Sequence, residues 1–346
     1  MIQRILSKAQ KVWRHSPFGK TRKVDNPIRW GVIGLGYMAE TFSCAIDGNK
    51  EGIVSAVASR SLDKAKAFAA RHGDCKAYGS YSEMLNDMDL HLDIIYIATP
   101  VKCHYDHIKL CLEAGFNVLC EKPITSTSEQ SGELAELARK NSCFLMEGMW
   151  MKCLPSFQKA CSWIKEGRIG AIELVRADFY KREHIREGYA IYDAKAGGGV
   201  LHDYGVYAIA FMEHFLGGVP ESLTSIHRVS SYEIDSDWQI SARRKGIQAA
   251  INLSSDFGSQ SKAVVIGKDG FIEWESQFNR TNCVTLYGKD GFVKERFPVS
   301  YEYEGFEYEV DEVQKCIRSG MKESTIVSLE GTCNTMHIID DLSKTL

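Results

Sequence analysis

The first half of the chain alternates short apolar runs with segments in which apolar residues recur at helical spacing. Apolar runs that predict buried strands lie at 29–33, 53–58, 93–98, 117–120 and 144–146. Segments that predict amphipathic helices begin near Met38 and Leu62 and cover about 104–114 and 129–140. This alternation is typical of βαβ units, so we predict an α/β domain with a parallel sheet over residues 28–150.

The pattern changes after residue 150. Runs with strand character dominate, at 171–180, 222–230, 237–244, 247–254, 261–266, 271–275, 283–287 and 292–298. Helical periodicity returns at about 155–166, after the glycines at 197–199, and at 306–318 and 328–344. We therefore predict a second, α+β domain over residues 151–346 and treat residues 1–27 as an extension.

The extension has a charge pattern of its own. Residues 1–24 carry seven Lys or Arg side chains and no acidic one, and the apolar residues from Ile2 to Trp13 fall on one helical face. A basic amphipathic helix of this kind is able to lie on an anionic membrane surface. The alternative is an arm that packs on its own subunit or on a partner. The sequence leaves both interpretations open.

The whole chain has an ordinary globular composition, with 44% hydrophobic residues and a net charge of −3. That balance gives no reason to expect a nucleic-acid partner. Eleven scattered cysteines without CxxC pairs favour reduced thiols, and no apolar run approaches the ~18–20 residues that span a bilayer. We expect a cytoplasmic protein, membrane-peripheral only if residues 1–24 bind a surface. The His, Cys and acidic residues show no convincing metal-ligand spacing.

The first predicted strand leads directly into a glycine-rich turn and a helix. The turn reads Gly-Leu-Gly-Tyr-Met-Ala, a G-x-G-x-x-A pattern that begins at Gly34. Gly34 permits a tight turn, Gly36 lets the backbone approach phosphates, and the small Ala39 allows close packing of helix on strand. The helix N-terminus adds free N–H groups and a positive dipole end. Strand, glycines and helix together predict a site for a dinucleotide pyrophosphate.

The end of the second strand indicates which dinucleotide binds. An NAD site usually has an acidic residue there that holds the ribose 2′-hydroxyl, whereas this chain has Ser59 and Arg60. A hydroxyl and a guanidinium are suited to a 2′-phosphate. The sequence therefore favours NADP. If Arg60 only stacks on the adenine, NAD is equally acceptable.

Two further segments carry residues suited to acid–base chemistry. Glu121-Lys122-Pro123 follows a buried strand, and ligands in open parallel sheets bind at the carboxyl ends of strands. Asp203 and Tyr207 follow the triple glycine at a spacing of four, which predicts one shared helix face. A carboxylate beside a phenol is able to bind and protonate a hydroxyl or carbonyl oxygen. Structural explanations, a Lys-Pro turn and amphipathic packing of a tyrosine, remain open for both segments.

Taken together and in this order, the motifs resemble the Gfo/Idh/MocA oxidoreductase family over nearly the whole chain from Ile28. The resemblance implies an N-terminal Rossmann domain and a C-terminal α+β domain with a large open, mostly antiparallel sheet. The outer face of that sheet commonly forms the subunit interface, so a homo-oligomer, dimer or tetramer, is expected. It further implies Lys122 and Tyr207 as the catalytic pair, with Asp203 orienting the substrate.

The resemblance also identifies the expected binding residues. The expected cofactor contacts are Gly34, Leu35, Gly36, Tyr37, Met38, Ser59, Arg60, Ala98, Thr99, Pro100, His104, Glu121 and Lys122. The Asp-x-x-x-Tyr helix and the segment ending at Trp150 look like the branch with dimeric dihydrodiol dehydrogenase, D-xylose dehydrogenase and glucose–fructose oxidoreductase. Trp150, Lys152, Arg182 and Asp203 are the expected substrate contacts. Lys152 and Cys153 stand where that branch usually has Thr- or Arg-type polar residues.

We expect an enzyme that moves a hydride between a nicotinamide cofactor and a carbohydrate-like alcohol or carbonyl. Tyr207 would exchange the proton, because an adjacent Lys122 ammonium favours the phenolate. The alternatives are a trans-dihydrodiol or nucleotide-sugar dehydrogenase, and a dinucleotide-sensing regulator without catalysis. The basic segment 181–186 suggests an anionic substrate, unless it is a solvated loop whose charges Glu183 and Glu187 balance.

Overall fold

The computed structural model describes residues 25–182, 198–231 and 233–346. The predicted helix in residues 1–24 and the loop residues 183–186 lie outside this description. The described residues form two compact units. The first comprises 25–124, 133–150 and 301–325, and the second comprises 125–132, 151–300 (described up to 182 and from 198, without 232) and 326–346.

The first unit is built on a parallel sheet of six strands. In chain order the strands are β1 (Ile28–Ile33), β2 (Gly52–Ala58), β3 (Lys76–Tyr78), β4 (Ile94–Ile97), β5 (Asn117–Glu121) and β6 (Leu145–Gly148). They lie in the order β3-β2-β1-β4-β5-β6, with parallel pairing throughout. This doubly wound order turns at β1 and β4, where the predicted glycine turn is placed. The predicted Rossmann sheet is confirmed.

Amphipathic helices separate these strands, as expected from their sequence periodicity. They are α1 (Tyr37–Gly48), α2 (Leu62–Ala69), α3 (Tyr81–Asn86) and α4 (His104–Glu113). The Ser61 hydroxyl accepts a hydrogen bond from the Lys64 N–H at 3.4 Å and so caps α2. The short elements β3 and α3 were not predicted, because three strand residues and six helix residues are too few to establish a period.

A helix from the C-terminal part of the chain joins the first unit. Helix α9 (Phe306–Arg318) places Phe306 edge-on to Phe42 and stacked on Trp150, with ring centroids 5.9 and 4.6 Å apart. The predicted boundary at 150 coincides with a junction between units, whereas a single boundary leaves residues 301–325 in the second domain. The difference arises because Phe306 packs against aromatic residues far away in the sequence, and a local pattern contains no information about such contacts.

The second unit is built on an eight-stranded, mostly antiparallel sheet. Its strands are β7 (Ile172–Tyr180), β8 (Ser222–Val229), β9 (Asp235–Arg244), β10 (Ile247–Ser254), β11 (Ala263–Gly267), β12 (Gly270–Trp274), β13 (Cys283–Gly288) and β14 (Val293–Pro298). Their order is β14-β13-β12-β11-β7-β10-β9-β8, with β7 and β10 parallel. The predicted fold class of this half is confirmed.

Two helices pack on this sheet: α7 (Pro155–Lys165) contacts β13 and β14, and α8 (Val206–Leu216) contacts β7 and β10. Helix α10 (Leu329–Ser343) packs on α8. The remaining helices are α5 (Ser128–Lys140), which continues from the second unit into the first at residue 133, and α6 (Trp150–Cys153). Helix α8 is almost entirely buried, and its Phe211 packs edge-on against Trp274 and Phe278 of the sheet side. None of the described helices is long and apolar enough to cross a membrane.

Candidate active site

The glycine turn has the geometry that a dinucleotide phosphate requires. Gly34 has a φ of +87°, and a Cβ there would lie 2.6 Å from the main-chain atoms of Ala98 and Thr99. Gly36 occupies the N-cap of α1, and apart from the adjoining backbone no atom of the described residues lies within 4 Å of the position of its Cβ. The first N–H groups of α1 therefore begin beside open space, next to the end of β4. These residues fit a pyrophosphate held by main-chain donors.

A basic and aromatic cluster lies at the end of the second strand. Arg60 is exposed, and Ser59 accepts a hydrogen bond from the Ser61 N–H at 3.3 Å. Burial lowers the pKa of His107, and the charge of Arg60 lowers it further. The ring of Tyr81 lies edge-on to His107, with centroids 4.8 Å apart. The sequence patterns did not indicate Tyr81 or His107, since Tyr81 begins a helix too short to predict.

His104 joins the ends of two strands. Its Nδ1 lies 2.8 Å from the Pro123 carbonyl oxygen and its Nε2 lies 2.7 Å from the Thr99 carbonyl oxygen. Burial lowers its pKa, the two carbonyl acceptors oppose that shift, and the charge of Lys122 adds to it. Both ring nitrogens are thus directed at main-chain oxygens. His104 holds the segment Ala98-Thr99-Pro100 against the segment that carries Lys122, and its predicted contact with the cofactor stays a prediction.

Lys122 follows the end of β5 beside a buried carboxyl group. Tyr96 donates a hydrogen bond to Glu121 Oε1 at 2.5 Å, and both side chains are buried. Burial raises the pKa of Glu121, while the Tyr96 hydroxyl and the Lys122 ammonium oppose the shift. The Lys122–Pro123 peptide is cis. The predicted Glu-Lys-Pro segment therefore lies at the same sheet edge as the glycine turn, and Tyr96 is a partner that the sequence did not reveal.

Three of the predicted substrate residues lie in different environments. Trp150, 7% exposed, stacks on Phe306 within the first unit. Lys152, 4% exposed, lies in the second unit with its ammonium 3.6 Å from the Glu213 carboxylate. Arg182 is exposed at the end of the described part of that segment. Lys152 thus already has a compensating charge, and its contact with substrate remains a prediction.

The helix that carries Asp203 and Tyr207 is not regular. Residues Leu201–Gly205, which include Asp203, form a π-helical turn, and Tyr207 belongs to the α-helix that follows. The predicted single helix with α-helical spacing was therefore too simple, because a π turn has a different angular step between residues. Such turns inside helices frequently occur at functional sites.

Aromatic packing holds Tyr207 in place. The ring of Phe179, on β7, lies 5.0 Å from the ring of Tyr204 and 6.3 Å from the ring of Tyr207, nearly parallel to both. Tyr207 is 9% exposed, and the Lys181 ammonium lies 5.1 Å from the centroid of the Tyr204 ring. The phenol of Tyr207 is therefore carried by a well-packed ring, and its role in proton exchange stays a prediction.

The structure thus combines an α/β unit whose glycine turn fits a dinucleotide pyrophosphate with an α+β unit whose helix carries Asp203 and Tyr207. The family model described as an oxidoreductase family with an NAD-binding Rossmann fold matches residues 28–149. The Gfo/Idh/MocA C-terminal domain matches residues 157–273. The chain belongs to the Gfo/Idh/MocA oxidoreductase family, as the motifs predicted.

Curated relatives and solved structures extend this finding. The trans-1,2-dihydrobenzene-1,2-diol dehydrogenases of Xenopus laevis and Homo sapiens are 32% and 30% identical, each over 92% of this chain and 98% and 97% of their own. A 3-ketoreductase from Actinomadura kijaniata, crystallised with NADP and TDP-benzene, aligns with a TM-score of 0.79 and 26% identity over 92% of this chain and 98% of its own. The protein is therefore an oxidoreductase with an NAD(P)-binding Rossmann unit.

Proposed function

We propose that the protein transfers a hydride between NADP and a secondary alcohol or carbonyl of a sugar, sugar derivative or polyol. Tyr207 exchanges the proton at the substrate oxygen, and Lys122 assists it. The observation that carries this proposal is the presence of both a strand-end lysine, Lys122, and a buried, aromatically packed phenol, Tyr207, in a chain of this family.

Each side chain has a separate task in this scheme. The cofactor, when bound, supplies or accepts the hydride. The phenol of Tyr207 donates a proton to the oxygen during reduction and takes it back during oxidation. The Lys122 ammonium stabilises the phenolate and the developing alkoxide by its charge. Asp203 accepts a hydrogen bond from a neighbouring substrate hydroxyl and so fixes the orientation of the reacting carbon.

The preference for NADP rests on the end of β2. Ser59 and the exposed Arg60 stand where an NAD site commonly has an acidic residue. The ketoreductase that aligns with this chain was crystallised with NADP. A guanidinium donates paired, charge-assisted hydrogen bonds to a phosphate, and the 2′-phosphate distinguishes NADP from NAD.

Two alternative substrates have specific support. Relatives at 30% identity are trans-dihydrodiol dehydrogenases, which favours a cyclic diol. The ketoreductase bound to TDP-benzene favours a nucleotide sugar, and the exposed cations Lys181 and Arg182 are suited to its phosphates. A substrate panel should therefore contain neutral sugars, trans-dihydrodiols and nucleotide-linked keto sugars.

The test uses Tyr207→Phe in the full-length protein. We expect NADPH to bind the wild type and the variant equally, as measured by cofactor fluorescence. Turnover in the substrate panel should fall by about 10²–10⁴-fold in the variant, because only the hydroxyl that exchanges the proton is lost. Tyr204→Phe is the matched control, since it removes a neighbouring hydroxyl on the same helix, and it should keep most of the activity.

A different outcome would favour a regulator. If NADPH binds but neither the wild type nor Tyr207→Phe consumes it with any member of the panel, the protein is a dinucleotide sensor. Equal turnover in both proteins would instead remove Tyr207 from the mechanism while keeping the enzyme class.

We also propose that the protein is a homo-oligomer that pairs through the outer face of its eight-stranded sheet. Half-exposed apolar side chains from four adjacent strands form a row on that face, in register, and comprise Leu174, Ile266, Phe271 and Tyr287. The rings of Phe271 and Tyr287 stack at 4.5 Å. Light scattering should give a dimer or tetramer, and Ile266→Lys should shift it towards the monomer; a wild-type monomer would contradict this proposal.

A further inference from the structure

A buried carboxylate holds the first turn of the helix that carries Asp203 and Tyr207. This carboxylate lies far from that helix in the sequence. Asp235, the first residue of β9, is 4% exposed. Its Oδ2 accepts a hydrogen bond from the Leu201 N–H at 2.7 Å and a second from Trp238 Nε1 at 2.7 Å. A carboxylate is costly to bury unless donors satisfy it. These two donors satisfy Asp235, and one of them belongs to the turn that contains Asp203.

The last glycine of the triplet makes this contact sterically feasible. Gly199 has a φ of +114°, and a Cβ on it would overlap the carboxylate of Asp235. The glycine is therefore required by a protein side chain that approaches the start of the helix. This explains the third glycine without any ligand contact.

The capped turn also determines how the polar side chains are presented. Leu201 begins the π turn Leu201–Gly205, and the α-helix with Tyr207 continues from its end without a break. A π turn contains one residue more than an α-helical turn, and an α-helix advances about 100° per residue. If the π turn became α-helical, Asp203 would therefore rotate about the helix axis by roughly 100° relative to Tyr207. A fixed N–H at Leu201 opposes such a shift in register.

We propose that Asp235 is a positioning residue, which acts through the Leu201 N–H to align Asp203 with Tyr207. The inference rests on the proposed role of Tyr207. Asp235 itself touches neither substrate nor cofactor in this scheme, and the contact with Trp238 fixes the carboxylate from the sheet side. The same interaction joins β9 to a helix whose sequence lies more than 30 residues earlier.

The experiment compares Asp235→Ala with Asp235→Asn. Asparagine keeps an oxygen that accepts both hydrogen bonds, so it should retain kcat within about threefold, whereas alanine should lower kcat by about 10–100-fold through misalignment. The affinity for NADPH should be unchanged in both, because its predicted contacts lie in the other unit. Trp238→Phe removes the indole donor together with part of a buried ring, but keeps the Leu201 hydrogen bond, and should lower kcat less than Asp235→Ala.

A control separates positioning from general loss of stability. Thr281 is buried in the same unit, and its hydroxyl donates to the Cys283 carbonyl oxygen at 2.8 Å in a turn of the sheet. Thr281→Val should lower the free energy of unfolding but leave kcat unchanged. If Asp235→Ala unfolds too easily for assay, Gly199→Ala provides a second variant that displaces the carboxylate, with the same expected loss of kcat.

The outcomes distinguish this inference from the proposed function. If Tyr207→Phe loses turnover and both Asp235→Ala and Gly199→Ala keep it, Asp235 is only structural and the inference is wrong. If Tyr207→Phe keeps wild-type turnover, the proposed role of Tyr207 is wrong and the inference fails with it, while the enzyme class stands. If the pH profile of kcat for Asp235→Asn is shifted from that of the wild type, Asp235 has an electrostatic role and the proposed positioning role is wrong.

Discussion

The two units hold their candidate functional residues in different ways. In the first unit, these residues lie in main-chain turns at the ends of parallel strands, and each turn is encoded by a few adjacent residues, as at Gly34–Gly36 and Glu121–Pro123. In the second unit, they lie on one helix that is held by residues distant in sequence, such as Asp235 and Phe179.

This contrast predicts that the two units differ in how they tolerate substitutions. A turn at a strand end depends on backbone conformation, so a single added Cβ is enough to disturb it. A packed helix depends on buried partners, so removal of one member leaves the other unsatisfied. We therefore expect substitutions in the first unit to affect mainly cofactor binding, and substitutions beneath the helix of the second unit to affect mainly stability and alignment.

The largest expected effect lies in the second unit, at Lys152 and Glu213. The carboxylate of Glu213, on α8, pairs with Lys152 and also accepts a hydrogen bond from Asn334 at 3.1 Å. Lys152→Met should lower the free energy of unfolding by about 3–5 kcal/mol, because it leaves a buried charge without its partner. Urea denaturation measures this change.

The double variant Lys152→Met/Glu213→Leu serves as the control. It should recover most of the lost stability, since an apolar pair of similar volume replaces the ions. If Lys152→Met raises KM and leaves the free energy of unfolding unchanged, Lys152 contacts substrate and is not needed for stability. The contrast between the two units would then not hold at this position.

The next largest effect is expected at the glycine turn. Gly34→Ala should weaken NADPH binding by at least about a hundredfold, because its Cβ would push the turn away from the main chain of Ala98. Gly115→Ala is a close match, with a φ of +82° but no described atom within 4 Å of the new Cβ. It should cost about 1 kcal/mol of stability and leave cofactor affinity unchanged. Near-normal NADPH binding by Gly34→Ala would contradict the assigned phosphate site.

A buried histidine in the first unit is an exception to the contrast, because its partners are distant in sequence. His72 Nδ1 lies 2.6 Å from Asp47 and its Nε2 lies 3.7 Å from Glu40, both on α1. Burial alone would lower its pKa, but the two carboxylates raise it to about 9. Because the folded pKa exceeds the unfolded one of about 6.5, the stabilisation is complete below that value and is lost as the pH rises through 9.

His72→Gln should therefore lower the unfolding free energy by an amount on the order of 2 kcal/mol near pH 6 and by nothing measurable above pH 9. Equilibrium denaturation across this range provides the measurement. The control variant His337→Gln, at an exposed position, should change the free energy of unfolding only slightly at every pH. A constant deficit for His72→Gln would mean that packing, and not the charge pair, stabilises α1.

The smallest expected effect concerns the choice of cofactor. Arg60→Ala should weaken NADPH binding by roughly tenfold, the value of one charge-assisted contact, and leave NADH binding nearly unchanged. Lys64→Ala removes another exposed cation from the first turn of the adjacent helix and should affect neither cofactor appreciably. Equal weakening of NADPH and NADH by Arg60→Ala would favour stacking on the adenine over recognition of the 2′-phosphate.

Most of the fold was predictable because its elements have strong internal periodicity. Strands such as Gly52–Ala58 and Ile247–Ser254 and the helix Phe306–Arg318 lie close to where the apolar pattern places them. The assignment of that helix to the first unit was not predictable, since it depends on the contact of Phe306 with Phe42 and Trp150. Strand Lys76–Tyr78 was missed because three residues carry too little pattern.

The sequence by itself determined the family, the order of the elements and the residues that belong at the strand ends, because those features are written in short contiguous motifs. The tertiary structure decided what surrounds them. It buries Lys152 against Glu213, directs His104 at two carbonyl oxygens, inserts a π turn at Asp203 and brings Asp235 to the start of that turn. The contacts of Lys152 with Glu213, of His104 with Pro123 and of Asp235 with Leu201 join residues far apart in the chain, and a local pattern contains no information about such contacts.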